Sequence, residues 1–375
     1  MARARIGLIV NPIAGMGGKV GLKGTDGKTI QDEAVARGAV PVAKDRARIA
    51  LDAMAPRAAE LELVTYGGDM GEAVARASGF DPDVIGAAAH EPSQAADTKA
   101  AARDMAARGA RLILFASGDG TARDVFEAVG QTVPMLGIPT GVKMHSAVFA
   151  TGPASAGRLA ADYVLGRERV ELRDAEITDI DEDAQRRNRL SARLFGYVAT
   201  PYQRLAMQHA KAMSRGGEDI ELDALARAIA ESMERDVLYI VGPGGSTKRI
   251  LGHLGLEGTL LGVDAVVNRD LAARDASEAD LLALLDGRPA EIISGVIGGQ
   301  GFVFGRGNQQ ISAEVIRRTG RGNITIMAGA DKLVALRTDR LLVDTGDAAL
   351  DAELAGFTRV QTAPGQAMML RLTPA

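Results

Sequence analysis

The feature that most constrains the fold is the run Leu112-Ile113-Leu114-Phe115-Ala116, which passes straight into Ser117-Gly118-Asp119-Gly120-Thr121. A continuous apolar run of this length reads as a strand buried on both faces, as in a parallel sheet covered by helices. Residues 122–129 then read as a helix, with Thr121 placed to cap its first turn. A strand, a glycine-bracketed acid and a helix start together suit a phosphate. Gly118 and Gly120 let the backbone approach closely, and the free amides of the helix start point at an anion. Asp119 stands where a metal ion or a reacting hydroxyl would have to be. The bland alternative is a tight turn that merely contains Asp and Gly.

The same alternation recurs upstream. Residues 6–10 form a second continuous apolar run and lead into Asn11-Pro12-Ile13-Ala14-Gly15-Met16-Gly17-Gly18, with Lys23 and Gly24-Thr25-Asp26-Gly27 beyond. Phosphate binding by Asn11, Pro12, Gly15, Gly17 and Lys23 competes here with a plain flexible connection. Strands are expected at 61–65, 84–87 and 133–139, and helices at 31–36, 46–54, 71–77 and 95–108. Asp97 and Thr98 stand where they would cap the last of these helices. Alternating strands and helices imply right-handed crossovers, so the loops after residues 10, 65, 87 and 116 gather on one sheet edge. Arg123 opposes the dipole of its helix, which makes sense if an anion sits there. The strand ending at Pro139 leads into Thr140-Gly141-Val142-Lys143-Met144-His145-Ser146. Lys143 suits a phosphate or is an ordinary solvated lysine, and His145 reads as a packed helix-start residue.

Beyond Thr151-Gly152-Pro153 the pattern changes. A helix is expected at 155–165, a charged hairpin tip or linker at 179–189, a strand at 194–199, and helices at 204–213 and 222–233. Residues 237–241 form another buried strand, ending in Gly242-Pro243-Gly244-Gly245-Ser246-Thr247 before a helix at 248–254. Gly242, Gly244, Gly245, Ser246 and Thr247 thus read as a second anion-binding turn. Asp264, at the carboxyl end of a strand expected at 260–264, suits a ribose hydroxyl, a metal, or no more than a strand-end turn. The expected division is 1–151 and 152–340, in a chain of 375 residues that is long enough for two cores.

Composition narrows the chemistry. With no cysteine there is no disulfide, thiolate metal site or Cys nucleophile, which fits a reducing cytoplasm. A net charge of −4, 3% aromatics and no tryptophan argue against nucleic acid or an anionic membrane as partner. The short apolar run 6–10 is too short for a signal peptide, and no stretch approaches membrane-spanning length.

Gly-Asp-Gly-Thr after a buried strand resembles the signature shared by NAD kinases, diacylglycerol and sphingosine kinases and, more distantly, phosphofructokinases. Asn-Pro-x-small-Gly is similar to the first turn of the lipid-kinase members. The strings Gly-Val-Lys-Met-His-Ser and Arg306-Gly307-Asn308-Gln309, with Lys23 and Gly24–Gly27, resemble the branch of predicted ATP- or polyphosphate-dependent NAD kinases that includes acetoin-catabolism protein X. That branch usually has Gly where this chain has Ser117, and the acceptor-holding Asn-Glu pair of NAD kinases has no obvious counterpart.

The resemblance implies a two-domain α/β fold. An N-terminal Rossmann-like parallel sheet of the NAD kinase/phosphofructokinase type would be followed by a second mixed α/β domain, with residues from about 340 to 375 packing back on the first. It also implies a cytoplasmic kinase using Mg²⁺ and ATP or polyphosphate, with NAD as acceptor, in a homo-oligomer. Asp119 would be the base or a metal ligand. Thr140, Gly141, Lys143, Ser146, Arg306 and Asn308 would line the nucleotide cleft with the turns already named. A kinase of another small hydroxyl compound, or a non-catalytic nucleotide-binding regulator, remains open at this point.

Overall fold

The computed structural model describes residues 3–22, 28–141, 144–167, 170–180, 192–203, 218–297, 301–336 and 340–375. Lys23, residues 24–27, Lys143, residues 298–300, most of the charged stretch 179–189 and the helix expected at 204–213 lie outside the described residues. Backbone contacts divide the chain into two compact units, one of residues 1–16, 24–210 and 375, the other of residues 17–23 and 211–374.

The first unit is built on a five-stranded sheet in the order β3-β2-β1-β4-β5, all parallel. Its strands are β1 (Ala4–Val10), β2 (Leu61–Tyr66), β3 (Asp83–Gly86), β4 (Leu112–Ser117) and β5 (Met135–Pro139). Helices α1 (Lys28–Ala36), α2 (Ala43–Met54), α3 (Glu72–Ala77), α4 (Ala95–Ala107), α5 (Asp119–Val129) and α6 (Pro153–Leu165) connect and follow them. Because side chains alternate along a strand, Ile6, Leu8, Val10, Leu112 and Leu114 pack with α2 and α6. Ile9, Ile113 and Phe115 pack on the other face with α4 and α5. That second face also receives Ala175, Ile177 and Val198 from an antiparallel hairpin, β6 (Glu171–Ile180) with β7 (Ala192–Tyr202).

The strand order reverses between β1 and β4, which is where open α/β sheets bind ligands, beyond the carboxyl ends of the strands. Gly137 in the middle of β5 has a specific cause. The ring of Phe149 lies where its Cβ would be, and Gly137 bonds Val148 O and Ala150 N at 2.8 and 3.1 Å. Residues 147–150 therefore run alongside β5, and His145 and Ser146 are brought to the carboxyl end of β4.

The second unit carries a nine-stranded mixed sheet in the order β10-β9-β8-β11-β13-β15-β16-β14-β12. Its strands are β8 (Leu238–Val241), β9 (Asp264–Val267), β10 (Asp270–Ala273), β11 (Ala290–Gly295), β12 (Phe302–Phe304), β13 (Ile324–Met327), β14 (Arg340–Val343), β15 (Gly356–Ala363) and β16 (Gln366–Pro374). Its helices are α7 (Glu218–Ser232), α8 (Gly245–His253), α9 (Glu278–Leu285), α10 (Ala313–Thr319), α11 (Ala330–Ala335) and α12 (Ala348–Leu354). Strands β8, β11, β13 and β15 are mutually parallel neighbours, and α7 and α8 cover Tyr239, Val241 and Ile293 on one face.

This division falls near residue 210, whereas the change of sequence pattern lies near 151. Helix α6 and the β6–β7 hairpin bury their apolar sides in the first unit, and residues 340–374 supply three strands of the second sheet.

Candidate active site

Two glycine turns meet at the switch point of the first sheet. Asn11, just past β1, donates its Nδ2 to Thr121 Oγ1 at 3.2 Å, and its backbone amide donates to Ala116 O at 3.2 Å. Its Oδ1 accepts from Ile13 N at 3.3 Å, closing an Asx turn through Pro12. Gly15 has φ +81 and approaches Thr140 so closely that a Cβ would stand 2.7 Å from Thr140 O and collide with Val42. Thr140 N donates to Ser117 O at 3.3 Å, and a Cβ on Gly141 would lie 4.0 Å from Gly118 Cα. Asn11, Pro12, Gly15, Gly118, Thr121, Thr140 and Gly141 are thus gathered on one edge.

Ser117 is accommodated internally. Its hydroxyl is 2.7 Å from Thr121 Oγ1 and the residue is buried. Thr121 differs in role from the expected cap. Helix α5 begins three residues earlier than expected, at Asp119, because extended Gly118 serves as its N-cap and accepts from Ala122 N at 3.1 Å. Asp119, Gly120 and Thr121 are therefore the first turn, whose amides have no partner within the helix. Thr140 Oγ1 is buried and has no hydrogen-bond partner among the described residues, an uncommon state for a polar atom that sits beside such a turn.

Asp119 is 8% exposed, and both its oxygens are held by backbone: His145 N donates to Oδ2 at 2.7 Å and Ser146 N to Oδ1 at 2.9 Å. Burial pushes the carboxyl up from 3.8 to about 6; the bonds from Ser146 and His145 pull it down, and the charge of Asp179 adds to the rise. A carboxylate tuned this way is mostly ionised at neutral pH yet accepts a proton readily, as a general base must.

Because the folded-state value lies above the unfolded one, folding favours the protonated form. That contribution is complete below about pH 4 and is lost as pH rises through about 6, an effect of about 3 kcal/mol. The thermal midpoint of Asp119→Asn, measured relative to the native protein, is therefore expected to climb from pH 4 to about pH 7 and then level off.

Arg123 and Ser146 are committed to the hairpin. Arg123 Nη1 bonds Asp179 Oδ2 at 2.6 Å, and Ser146 Oγ donates to Thr178 O at 2.8 Å. Gly17 belongs to the second unit, where its carbonyl accepts from Leu22 N at 2.9 Å. Asp97 does cap its helix, as expected: its Oδ2 accepts from Gln94 N at 2.8 Å, and the same carboxylate holds Ala89 N and His90 Nδ1. These bonds hold its carboxyl below the usual range although burial alone pushes it up.

In the second unit, the turn after β8 repeats the strand, glycine and helix order. Gly242 N donates to Ile293 O at 2.8 Å, Gly244 has φ +123 and caps α8, and Gly245 and Ser246 open that helix. Thr247 is fully buried and donates its hydroxyl to Gly242 O at 2.6 Å, with Gly244 O at 3.0 Å, so it closes the turn. Thr247→Val keeps the shape and removes both bonds. It is expected to cost about 1–3 kcal/mol in a denaturant melt.

Asp264 corrects the reading of 260–264 as a strand. It begins β9, opposite Val241, and its carboxylate accepts from Thr259 N at 2.6 Å, Thr259 Oγ1 at 3.0 Å and Asp275 N at 3.0 Å. Its role is to tie two loops beside the Gly242 turn. Asn308 is likewise spent on Gly305 N and Val303 O, at 3.0 and 2.8 Å, and Arg306 is buried against the Phe302 ring. The residues missed in the sequence are Thr178 and Asp179, which sit on a strand too charged to stand out. The alternation Ala175, Ile177 against Glu176, Thr178 was the available signal.

Glycine turns and a buried aspartate thus stand at the switch point of an open parallel sheet, the edge where α/β proteins of this class bind ligands. A family model described as the ATP-NAD kinase N-terminal domain matches residues 6–167, and one described as the ATP-NAD kinase C-terminal domain matches residues 234–372. The chain belongs to the NAD kinase superfamily and is a kinase of NAD-kinase type. No match was found among curated proteins or among solved structures. Among the described residues no helix is long and apolar enough to cross a membrane.

Proposed function

We propose that the protein transfers a phosphoryl group from ATP or polyphosphate to the adenosine ribose 2′-hydroxyl of NAD, giving NADP. The observation that carries this reading is Asp119, a buried carboxylate at a helix start, raised to about 6 and held by two backbone amides beside the Asn11 and Thr140 turns. The ribose oxygen forms a bond to the terminal phosphorus as the bond from that phosphorus to its bridging oxygen breaks. The hydroxyl proton passes to Asp119. The first amides of α5 and the glycine turns receive the donor oxygens, and the Thr140 hydroxyl supplies one further hydrogen bond.

The described residues hold no group of three acidic or imidazole side chains able to chelate a metal by themselves. Mg²⁺ accordingly fits as an ion carried on the donor's phosphates and water. When bound there it neutralises charge on the phosphate oxygens. The cysteine-free composition and net charge of −4 support a cytoplasmic enzyme acting on small soluble molecules.

The test is incubation with Mg²⁺, NAD and either ATP or polyphosphate, reading NADP with an NADP-specific dehydrogenase. NADP from either donor supports the reading. Donor consumption without NADP moves it to another small hydroxyl acceptor. Tight nucleotide binding with neither reaction moves it to a regulator.

A further inference from the structure

The β6–β7 hairpin falls between the stretches matched by the two family models, yet it is bonded directly to the Asp119 turn. Ser146 Oγ donates to Thr178 O at 2.8 Å and accepts from Thr178 N at 3.1 Å, and Ala147 N donates to Glu176 O at 2.9 Å. These bonds join residues 146–147 to β6 like a short added strand. The neighbouring amides of His145 and Ser146 are the two that hold Asp119. On the other flank, Asp179 receives Arg123 from α5 at 2.6 Å, and the Arg123 guanidinium lies 5.6 Å from the Phe195 ring of β7. Gly196 leaves space that the Phe126 ring of α5 occupies.

We infer that the hairpin is a working part of the site, in which Asp179 and Arg123 are positioning residues that together set how readily Asp119 takes up a proton. The inference rests on the reading of Asp119 as the base. Charged groups on the packed elements include Arg123, Asp124 and Glu127 on α5, Lys99 on α4, Asp179 and Glu176 on β6, Arg193 on β7 opposite Asp179 in the hairpin register, and His145 in the turn. Lys99 is committed to Asp124 at 3.4 Å and Glu127 at 2.6 Å, and Arg193 lies 5.1 Å from the Phe195 ring, whereas Arg123 bonds at 2.6 Å the Asp179 carboxylate whose charge bears on Asp119. Asp179 repels the ionised form of Asp119, and Arg123 offsets that repulsion.

The two charges therefore act in opposite directions. In protein carrying ¹³C-carboxyl aspartate, with the Asp119 signal assigned by its absence in Asp119→Asn, Asp179→Asn is expected to lower the Asp119 titration midpoint by roughly half a unit or more. Arg123→Gln is expected to raise it by a similar amount, and the double variant to return it towards the native value. The acid limb of kcat/KM for NADP formation should follow each midpoint. A scaffold role alone would leave the midpoint unmoved or shift both variants the same way, and either result overturns the inference. If one variant fails to fold, the other and the double variant still decide. Opposite shifts in a protein that makes no NADP would sink the reading of NAD as acceptor and leave the hairpin's role standing. NADP formation with unmoved midpoints would do the reverse.

Discussion

Asp119→Asn is expected to lower kcat for NADP formation by about a hundredfold or more, the usual cost of removing a general base. The substitution keeps the size of the side chain, so the Asn11 and Thr140 turns stay in place. One oxygen still accepts from the 145–146 turn, while the new amide group faces the other N–H and loses that bond. The proposed phosphate cradle is backbone and the Thr140 hydroxyl, not Asp119, so KM for the donor should change little while kcat falls. Steady-state kinetics with both substrates varied, together with a thermal melt to confirm folding, check this. Near-native turnover would remove Asp119 from the chemistry.

Gly15→Ala is the second large effect. At φ +81 an alanine is strained by its own backbone, and here its Cβ would also stand 2.7 Å from Thr140 O and collide with Val42. Strain and overpacking together are expected to cost about 2–4 kcal/mol and to push the Asn11 turn away from Thr140. Gly38 provides the control, since its φ is +79 but a Cβ there meets nothing within 4 Å. Gly38→Ala should lose only about 1–2 kcal/mol, the left-handed penalty alone. Denaturant melts of the two variants separate strain from collision, and equal losses would mean that the contact between the two turns carries no weight. NADP formation should fall in the Gly15 variant and not in the Gly38 variant.

The first sheet was legible because its signals are local. The runs 6–10 and 112–116 are apolar at every position, as strands buried on both faces must be, and each ends in glycines. Asp119 could be found for the same reason. Contacts between segments distant in sequence could not. Nothing near Asn11 says that its side chain bonds Thr121 110 residues away, or that Ser146 is anchored to Thr178 32 residues away. Arg123 reads as a cation facing a bound anion until β6 supplies Asp179. Asp264 looked like a strand-end acid because Leu260-Leu261-Gly262-Val263 is apolar, yet the bonds it makes to Thr259 and Asp275 define a loop and start the strand at Asp264 itself. Strands β15 and β16 went unread for a related reason: Phe357, Arg359, Met369 and Arg371 are exposed, so the pattern lacks a clean apolar face until the register pairs them.

The pH profile of kcat/KM for NADP formation between about pH 5 and pH 8 bears most directly on Asp119 as the base. The expected result is an acid limb near pH 6, where Asp119 gains its proton, and its disappearance in Asp119→Asn. A profile flat through pH 6, or a limb that survives unchanged in the variant, would contradict it.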